Sequence, residues 1–418
     1  MNTLIVYLNA ERVGRLQQDD SGLLQFSYDQ AWLANPNAIP LSRSLPLLSR
    51  VYAGKKARPF FAGILPEEEP RKQVARILGI SDTNDFAMLT RIGGECAGAV
   101  SLLPEGVTAT IPKSIAHREL TDPELRQIVA ELPRRPLMVG EKGLRLSLAG
   151  AQDKLPVIVR GHGISLPLDD APSTHILKPE PDRFPGLAAN ELFCMALARA
   201  VGLNVADTEY RPIGDKPCIL VQRYDRRTGE DGRTIRIHQE DFCQAMGFPP
   251  ERKYQAEGGP TWRDCIALLR EWSTAPVLDI PLFIRSLIFN VLIGNADAHG
   301  KNYSLLYSGG ERRLSPLYDL VSTLAWPELS KTLAMKIGAC ESVEAFTIGD
   351  WKKMANKAGV GWPMMREEMA EISHVVMNEL DAVQGRSGEY NTAMAERLHK
   401  TIGDRSAKMI EALAKQDL

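Results

Sequence analysis

One stretch constrains this chain more than any other: the apolar run IPLFIRSLIFNVLI, closed at Gly294 and followed at once by GNADAHGKNYS, Gly294 to Ser304. Such a run needs a protein interior around it. Helix-entry chemistry at Asp279 and Pro281 and the stop at Gly294 predict a buried helix that delivers a polar loop. Within the loop, Asp297 and Asn302 stand five positions apart. That is the D-x-x-x-x-N spacing of a phosphoryl-transfer loop, in which the Asp accepts a hydroxyl proton and the Asn holds magnesium. Taken alone, the pair also reads as a solvated turn, because Asp and Asn are common turn residues.

Length and composition narrow the class. The chain has 418 residues, 44% hydrophobic and 24% charged, enough for two or three domains with sizeable cores. A net charge of −2 argues against a surface built mainly for nucleic acid or an acidic membrane, and leaves Arg223, Arg226 and Arg227 as a local basic patch or solvated surface. Six cysteines without a C-x-x-C pair, several in apolar segments, read as reduced thiols. The N-terminus lacks a basic, then apolar, leader pattern, and no uninterrupted run of about eighteen apolar residues occurs, so a cytoplasmic protein with no membrane partner is expected.

In chain order, TLIVYLNAERVGRL predicts a hairpin about Asn9 and Ala10, with another strand at LLQFSY, a helix after Pro70 and a closing strand near residue 105. A polar linker then leads to Thr121, whose T-x-x-E with Glu124 is a capping box for ELRQIVAEL. Strands are expected at LRLSLAG, KLPVIVRG, ISLPL and THILKPE in an antiparallel sheet. GLAANELFCMALARAVGL reads as a helix buried against that sheet and ending at Gly202. Strands at TEYRPI and CILVQRYD precede a mostly helical remainder, broken by one hairpin in YSLLYSGGERRLSPLYDL.

A sheet with one buried helix, joined to a helical lobe, is a kinase layout, and its chemical parts have fixed places. Lys178 ends THILK, and Glu191 follows thirteen residues later in the helix, as a phosphate-gripping lysine and its orienting glutamate would. LAGAQDK, Leu148 to Lys154, could wrap backbone amides around phosphate oxygens, with Gly150 allowing close approach; a plain hairpin turn is the alternative. Asp319 comes seventeen residues after Asn302, beyond the hairpin that would return it to the metal site; otherwise it caps a helix starting at Leu320. His299 and Lys301 fill the loop without a second zinc-ligand pair at suitable spacing.

Taken together, FFAGILPEE, GGECAGAV, LSLAGAQDK, HILKPE, NELFC, VQRYDR, HQEDFCQAMG, GNADAHGKNYS and PLYDL resemble the HipA-type serine/threonine kinases, the toxin halves of bacterial toxin–antitoxin pairs. The resemblance covers nearly the whole chain. It implies an α+β fold: a two-lobed, protein-kinase-like architecture with an added N-terminal β-rich subdomain (1–108), a kinase-like N-lobe (109–225) and a mainly α-helical C-lobe (226–418). It also implies ATP and Mg2+. Carried over by position, Ala149, Gly150, Ala151, Gln152, Asp153 and Lys154 would form the phosphate loop and Lys178, oriented by Glu191, would hold phosphates. Gln222, Arg223 and Tyr224 would be the adenine hinge, with Gln222 where relatives often carry Glu. Asp297 would be the catalytic base. His299, Gly300, Lys301, Asn302, Tyr318 and Asp319 would complete the ATP site, Asn302 and Asp319 binding metal. Ser147 would be an autophosphorylation site. Implied partners are a helix-turn-helix, HipB-like antitoxin, operator DNA reached through it, and a protein serine substrate such as an aminoacyl-tRNA synthetase, the glutamate enzyme in particular. The rival readings are a nucleotide-binding pseudokinase that serves only as an antitoxin-bound co-repressor, and a metal-dependent hydrolase built on the D-x-H pair.

Overall fold

The computed structural model of the chain describes residues 2–109, 116–229, 233–387 and 390–415. These fall into two compact units that share the chain alternately. The first takes the sequence up to Pro179, Pro212–Pro250 and Leu306–Gly310; the second takes Glu180–Arg211, Glu251–Leu305 and Glu311 to the end.

The first unit holds two large sheets. In the N-terminal one, Asn2–Leu8 and Glu11–Gln18 form the expected hairpin, with Asn9 turned into a left-handed conformation (φ 54°) at the tip. The sheet order is Val51–Ala53, Leu24–Tyr28, Glu11–Gln18, Asn2–Leu8, Val100–Pro104, all antiparallel. Side chains on a strand alternate between faces. Leu4, Val6 and Leu8 therefore enter the large core around Phe26, Tyr52, Phe60 and Phe61, while Ile5 and Tyr7 meet Leu103 on the other face. The helix after the first Pro-rich turns spans Glu68–Leu78 and stops at Gly79 in the left-handed region. The middle of the linker before Thr121 lies outside the described residues.

Within this unit the strands of the second sheet run Cys218–Gln222, His175–Pro179, Leu155–Arg160, Gly163–Pro167, His117–Glu119. Its neighbours are antiparallel, as expected. One expectation fails here. LRLSLAG alternates like a strand, yet it forms only isolated parallel bridges, Leu146 to Glu95 and Gly150 to Pro66. The helix that shares the sheet's core is the capped one, Asp122–Glu131, through Leu125, Ile128 and Val129 against Leu155, Val157, Leu177 and Leu220. The helix Leu187–Ala200 falls in the second unit, where it packs against the strand Thr208–Tyr210 and the helices Trp362–Ser387 and Thr392–Ala414.

The second unit is mainly helical. The central helix spans Pro276–Ile293, beginning earlier than expected, so that Pro281 lies inside it. By length and composition it could cross a membrane, although it carries Asp279 and Arg285 and most of it is buried, packed against Trp262–Trp272 and the two long C-terminal helices. Asp279 sits in its first turn and takes Arg313 of the returning hairpin, Nη2 to Oδ1 at 3.1 Å. At its end Gly294 is left-handed (φ 72°), which favours glycine, and a Cβ there would also press on the Leu324 side chain. The hairpin Ser304–Ser308 and Glu311–Leu314 forms as expected. The hairpin Thr332–Ile337 with Cys340–Ser342 was not foreseen, nor, in the first unit, were Arg226–Thr228 with Thr234–Arg236 and the strand His238–Asp241.

Candidate active site

The loop after Gly294 is held by side chains of its own helix and by the segments that return to it. Asn295 donates from Nδ2 to Asn290 Oδ1 at 2.8 Å and accepts the Asp297 amide at 2.9 Å. Thr323 Oγ1 donates to Gly294 O and accepts the Ala296 amide, and Ala334 of the strand Thr332–Ile337 donates to Ala296 O at 2.8 Å. The Asp297 carbonyl accepts from the His299 amide and from Asn302 Nδ2 at 3.2 Å. Ala298, His299, Gly300 and Lys301 are buried, yet Asp297 between them and the helix is exposed. The backbone is fixed and the carboxylate faces outward. One phenol, Tyr254, donates to Asp297 Oδ1 at 2.8 Å.

Asn302 closes a single 3-10 turn, Gly300–Asn302. Its amide nitrogen is directed to the Asp297 carbonyl, so its side-chain oxygen is the group left to turn away from the loop. Tyr318 docks on the same turn, donating to Lys301 O at 2.8 Å and lying 2.8 Å from Ser304 Oγ. Asp319 follows it with φ 61°, a conformation that costs energy for a residue with a side chain but that Asp tolerates better than most. No helix begins at Leu320; the first turn beyond is Thr323–Ala325, which removes the capping alternative. Asp297, Asn302, Tyr318 and Asp319 therefore belong to one scaffold in the second unit, with Glu191 nearly fully buried elsewhere in it.

The remaining expected residues lie in the first unit. Lys178 pairs in register with Ile219 and is buried, not a surface lysine. In the segment Ala149–Lys154, Gly150 has φ 107° and its carbonyl accepts the Glu67 amide. Lys154 Nζ returns to Ala149 O at 2.6 Å, and an added Cβ on Gly150 would strike that ammonium. The segment is thus a closed loop. Burial pushes the Asp153 carboxyl up to about 6, against the opposing pull of Lys154 and Lys216. Ala151 is exposed and Gln152 half-buried. Ser147 is fully buried, its hydroxyl donating to Ile64 O at 3.1 Å and its amide to Glu95 O.

The basic patch read at Arg223 and Arg226 does not form, because both guanidiniums are buried and only Arg227 is exposed. Glu95 Oε1 accepts Arg223 at 3.0 Å, Arg226 at 2.9 Å and Ser173 Oγ at 2.8 Å, while Arg236 Nη2 lies 2.8 Å from Oε2. Asp225 accepts Arg223 and the Gly98 amide. Burial alone would raise the Glu95 carboxyl; Arg226, Arg236 and Arg223 overcome it and hold it at about 2. Of the expected hinge, Arg223 has its side chain in this network and its amide on Thr174 O, Tyr224 donates to Gln239, and Gln222 is exposed.

Comparison with known proteins now decides the family. A model of the HipA N-terminal domain matches residues 4–103, and one of the HipA-like C-terminal domain matches 146–382, more than half of the chain. The chain belongs to the HipA family. A Sinorhizobium fredii relative named putative kinase Y4mE is 45% identical over 375 residues, covering 89% of this chain and 89% of its own. The serine/threonine-protein kinase toxin HipA of Shewanella oneidensis is 32% identical over 375 residues, 86% of this chain and 84% of its own. Among solved structures, a chain of the Shewanella oneidensis MR-1 toxin–antitoxin complex of HipA, HipB and operator DNA superposes with a TM-score of 0.87 at 25% identity, covering 99% of both chains. The HipA-type fold is therefore α+β and kinase-like, with the β-rich N-terminal part and the helical C-terminal part that the resemblance implied. Sequence reading missed Tyr254 and the Glu95 network. KYQ before a Gly-Gly-Pro break carried no recognisable pattern, and Glu95 lies more than a hundred positions from its arginines.

Proposed function

We propose that this chain is an ATP-dependent serine/threonine protein kinase, the toxin of a toxin–antitoxin pair whose other half is a HipB-like DNA-binding antitoxin. The observation that carries the reading is Asp297: an exposed carboxylate on a loop whose backbone is otherwise buried and fixed, five positions before an asparagine that bonds back to it. As general base, Asp297 takes the proton of an acceptor serine while the serine oxygen bonds to the γ-phosphorus and the bond to ADP breaks. Asn302 and Asp319 offer the hard oxygen donors that suit magnesium, and the Asn302 nitrogen, donating to the Asp297 carbonyl, leaves its oxygen as the group that would serve. The metal would supply charge neutralisation at the phosphates. Lys178, oriented by Glu191, would grip them, the loop Ala149–Lys154 would cradle them, and Gln222 to Tyr224 would border adenine through backbone groups.

The target would be a protein serine on a translation enzyme such as the glutamate aminoacyl-tRNA synthetase, with operator DNA reached through the antitoxin. Ser147 would be a self-modification site, and its burial means that phosphate can reach it only after the segment has left Ile64. A phosphate carrying about −1.5 to −2 charges would then keep the phosphate loop out. Incubation with γ-labelled ATP and magnesium tests the reading: label on protein serine, lost in Asp297→Asn, supports it. A wild-type chain that binds nucleotide and antitoxin without transferring label would establish the co-repressor alternative instead.

A further inference from the structure

Tyr254 stands on a segment that none of the foregoing roles uses. Its hydroxyl donates to Asp297 Oδ1 at 2.8 Å, and its ring meets the His299 imidazole edge-on, centroids 5.4 Å apart at 69°. The residue is held from both sides. Its carbonyl accepts the amides of Glu257 and Gly259, and a Cβ on Gly259 would come within 2.3 Å of Arg252 O, so the tight return needs glycine. Next door, Gln255 Oε1 accepts the Lys336 amide at 2.8 Å. Lys336 lies on the strand Thr332–Ile337, and two residues earlier on that strand Ala334 donates to Ala296 O, beside Asp297. One strand thus sets the position of both the phenol and the carboxylate.

From this geometry we propose that Tyr254 is a positioning residue for the phosphotransfer base: it fixes one carboxylate oxygen so that the other meets the acceptor hydroxyl. The inference rests on the reading of Asp297 as the base. A carboxylate on an exposed side chain rotates among several orientations, and a single charge-assisted hydrogen bond from an anchored phenol removes most of them. Asp has acceptor sites to spare, so the phenol need not leave when the acceptor arrives. Pre-fixed orientation of this kind is expressed in turnover, not in affinity for ATP.

The test is a double-mutant cycle on the full-length chain, with γ-labelled ATP, magnesium and casein as a serine acceptor. Tyr254→Phe keeps the ring on His299 and removes only the hydroxyl. We expect kcat to fall about 10- to 100-fold while KM for ATP stays within about twofold. In an Asp297→Asn background the same change should have no further effect, because the group it orients is gone; a merely structural tyrosine would cost the same factor in both. A readout free of activity accompanies it: with 13Cζ-labelled tyrosine, the resonance missing from Tyr254→Phe should move in Asp297→Asn. Unchanged kcat in Tyr254→Phe, additive losses, or a Tyr254 resonance indifferent to Asp297 each overturn the proposal while leaving the kinase reading intact. Full transfer by Asp297→Asn, or none by the wild type, removes the base itself and the proposal with it.

Discussion

Two carboxylates of this chain live in opposite circumstances. Glu95 is fully buried, shared among three guanidiniums and a serine, with its pKa held at about 2. Asp297 is exposed and its carboxylate meets one phenol, while its own amide and carbonyl are tied to Asn295 and Asn302. The difference separates structure from chemistry. A charge buried with its partners ties distant parts of a unit together and is useless to a substrate. A charge left outward on a rigid loop adds little to stability and is free to take a proton.

Substitutions should break that contrast in graded ways. Asp297→Asn carries the largest effect, a loss of phosphotransfer of about two to four decades with the unfolding midpoint unchanged, read by label transfer and by thermal denaturation. Near-normal transfer would remove the residue from its role. Glu95→Gln should do the reverse, costing about 3–5 kcal/mol of stability in denaturant titration because it strands buried guanidiniums. Its acid dependence follows from the sign of the shift. The folded carboxyl is depressed from 4.5 to about 2, so the stabilisation is complete above the unfolded value and is lost as pH falls through that window. In Glu95→Gln that limb of the stability–pH curve should be missing.

Asp319→Ala ranks next: it should weaken magnesium-ATP binding well beyond its effect on metal-free ATP, measured by calorimetry with and without chelator. Equal weakening of both would make Asp319 a structural residue. The smallest effect is expected at Glu240, a buried carboxyl that accepts from Ser42, the Arg43 amide and Tyr307 and that burial pushes up to about 7. Because its folded pKa lies above 4.5, its contribution is full below that value and is lost as pH rises to about 7. His238, held down at about 4 by burial, acts oppositely, losing stability as pH falls from 6.5. Glu240→Gln should therefore gain on the wild type as pH rises across that range in a melting series, and a pH-independent difference would contradict the shift.

The readings that held share a short range. The Asn9 hairpin, the Thr121 capping box, the stop at Gly294 and the strand end at Lys178 are each written within a few residues. The candidate loop is equally local: Asn302 reaches back to the Asp297 carbonyl within five residues. What sequence alone missed depends on partners far away. LRLSLAG has the alternation of a strand but no neighbour to form a ladder with, and only parallel bridges to Glu95 and Pro66 receive it. Arg223 and Arg226 look like surface until Glu95 is brought to them.

The alternating path of the chain has a consequence for its synthesis. The first unit is assembled from three pieces, and the last, Leu306–Gly310, supplies the Tyr307 hydroxyl that the buried Glu240 accepts. A ribosome releases that tyrosine only after the acceptor, the Lys178 strand and the Asp297 loop have already emerged. Until then the first unit carries a buried carboxyl short of one donor, an expensive state to hold. A truncated product ending before residue 307 would contain Asp297 and Asn302 yet lack the last piece of the first unit. The first unit can therefore close around Glu240 only in chains that have passed this point.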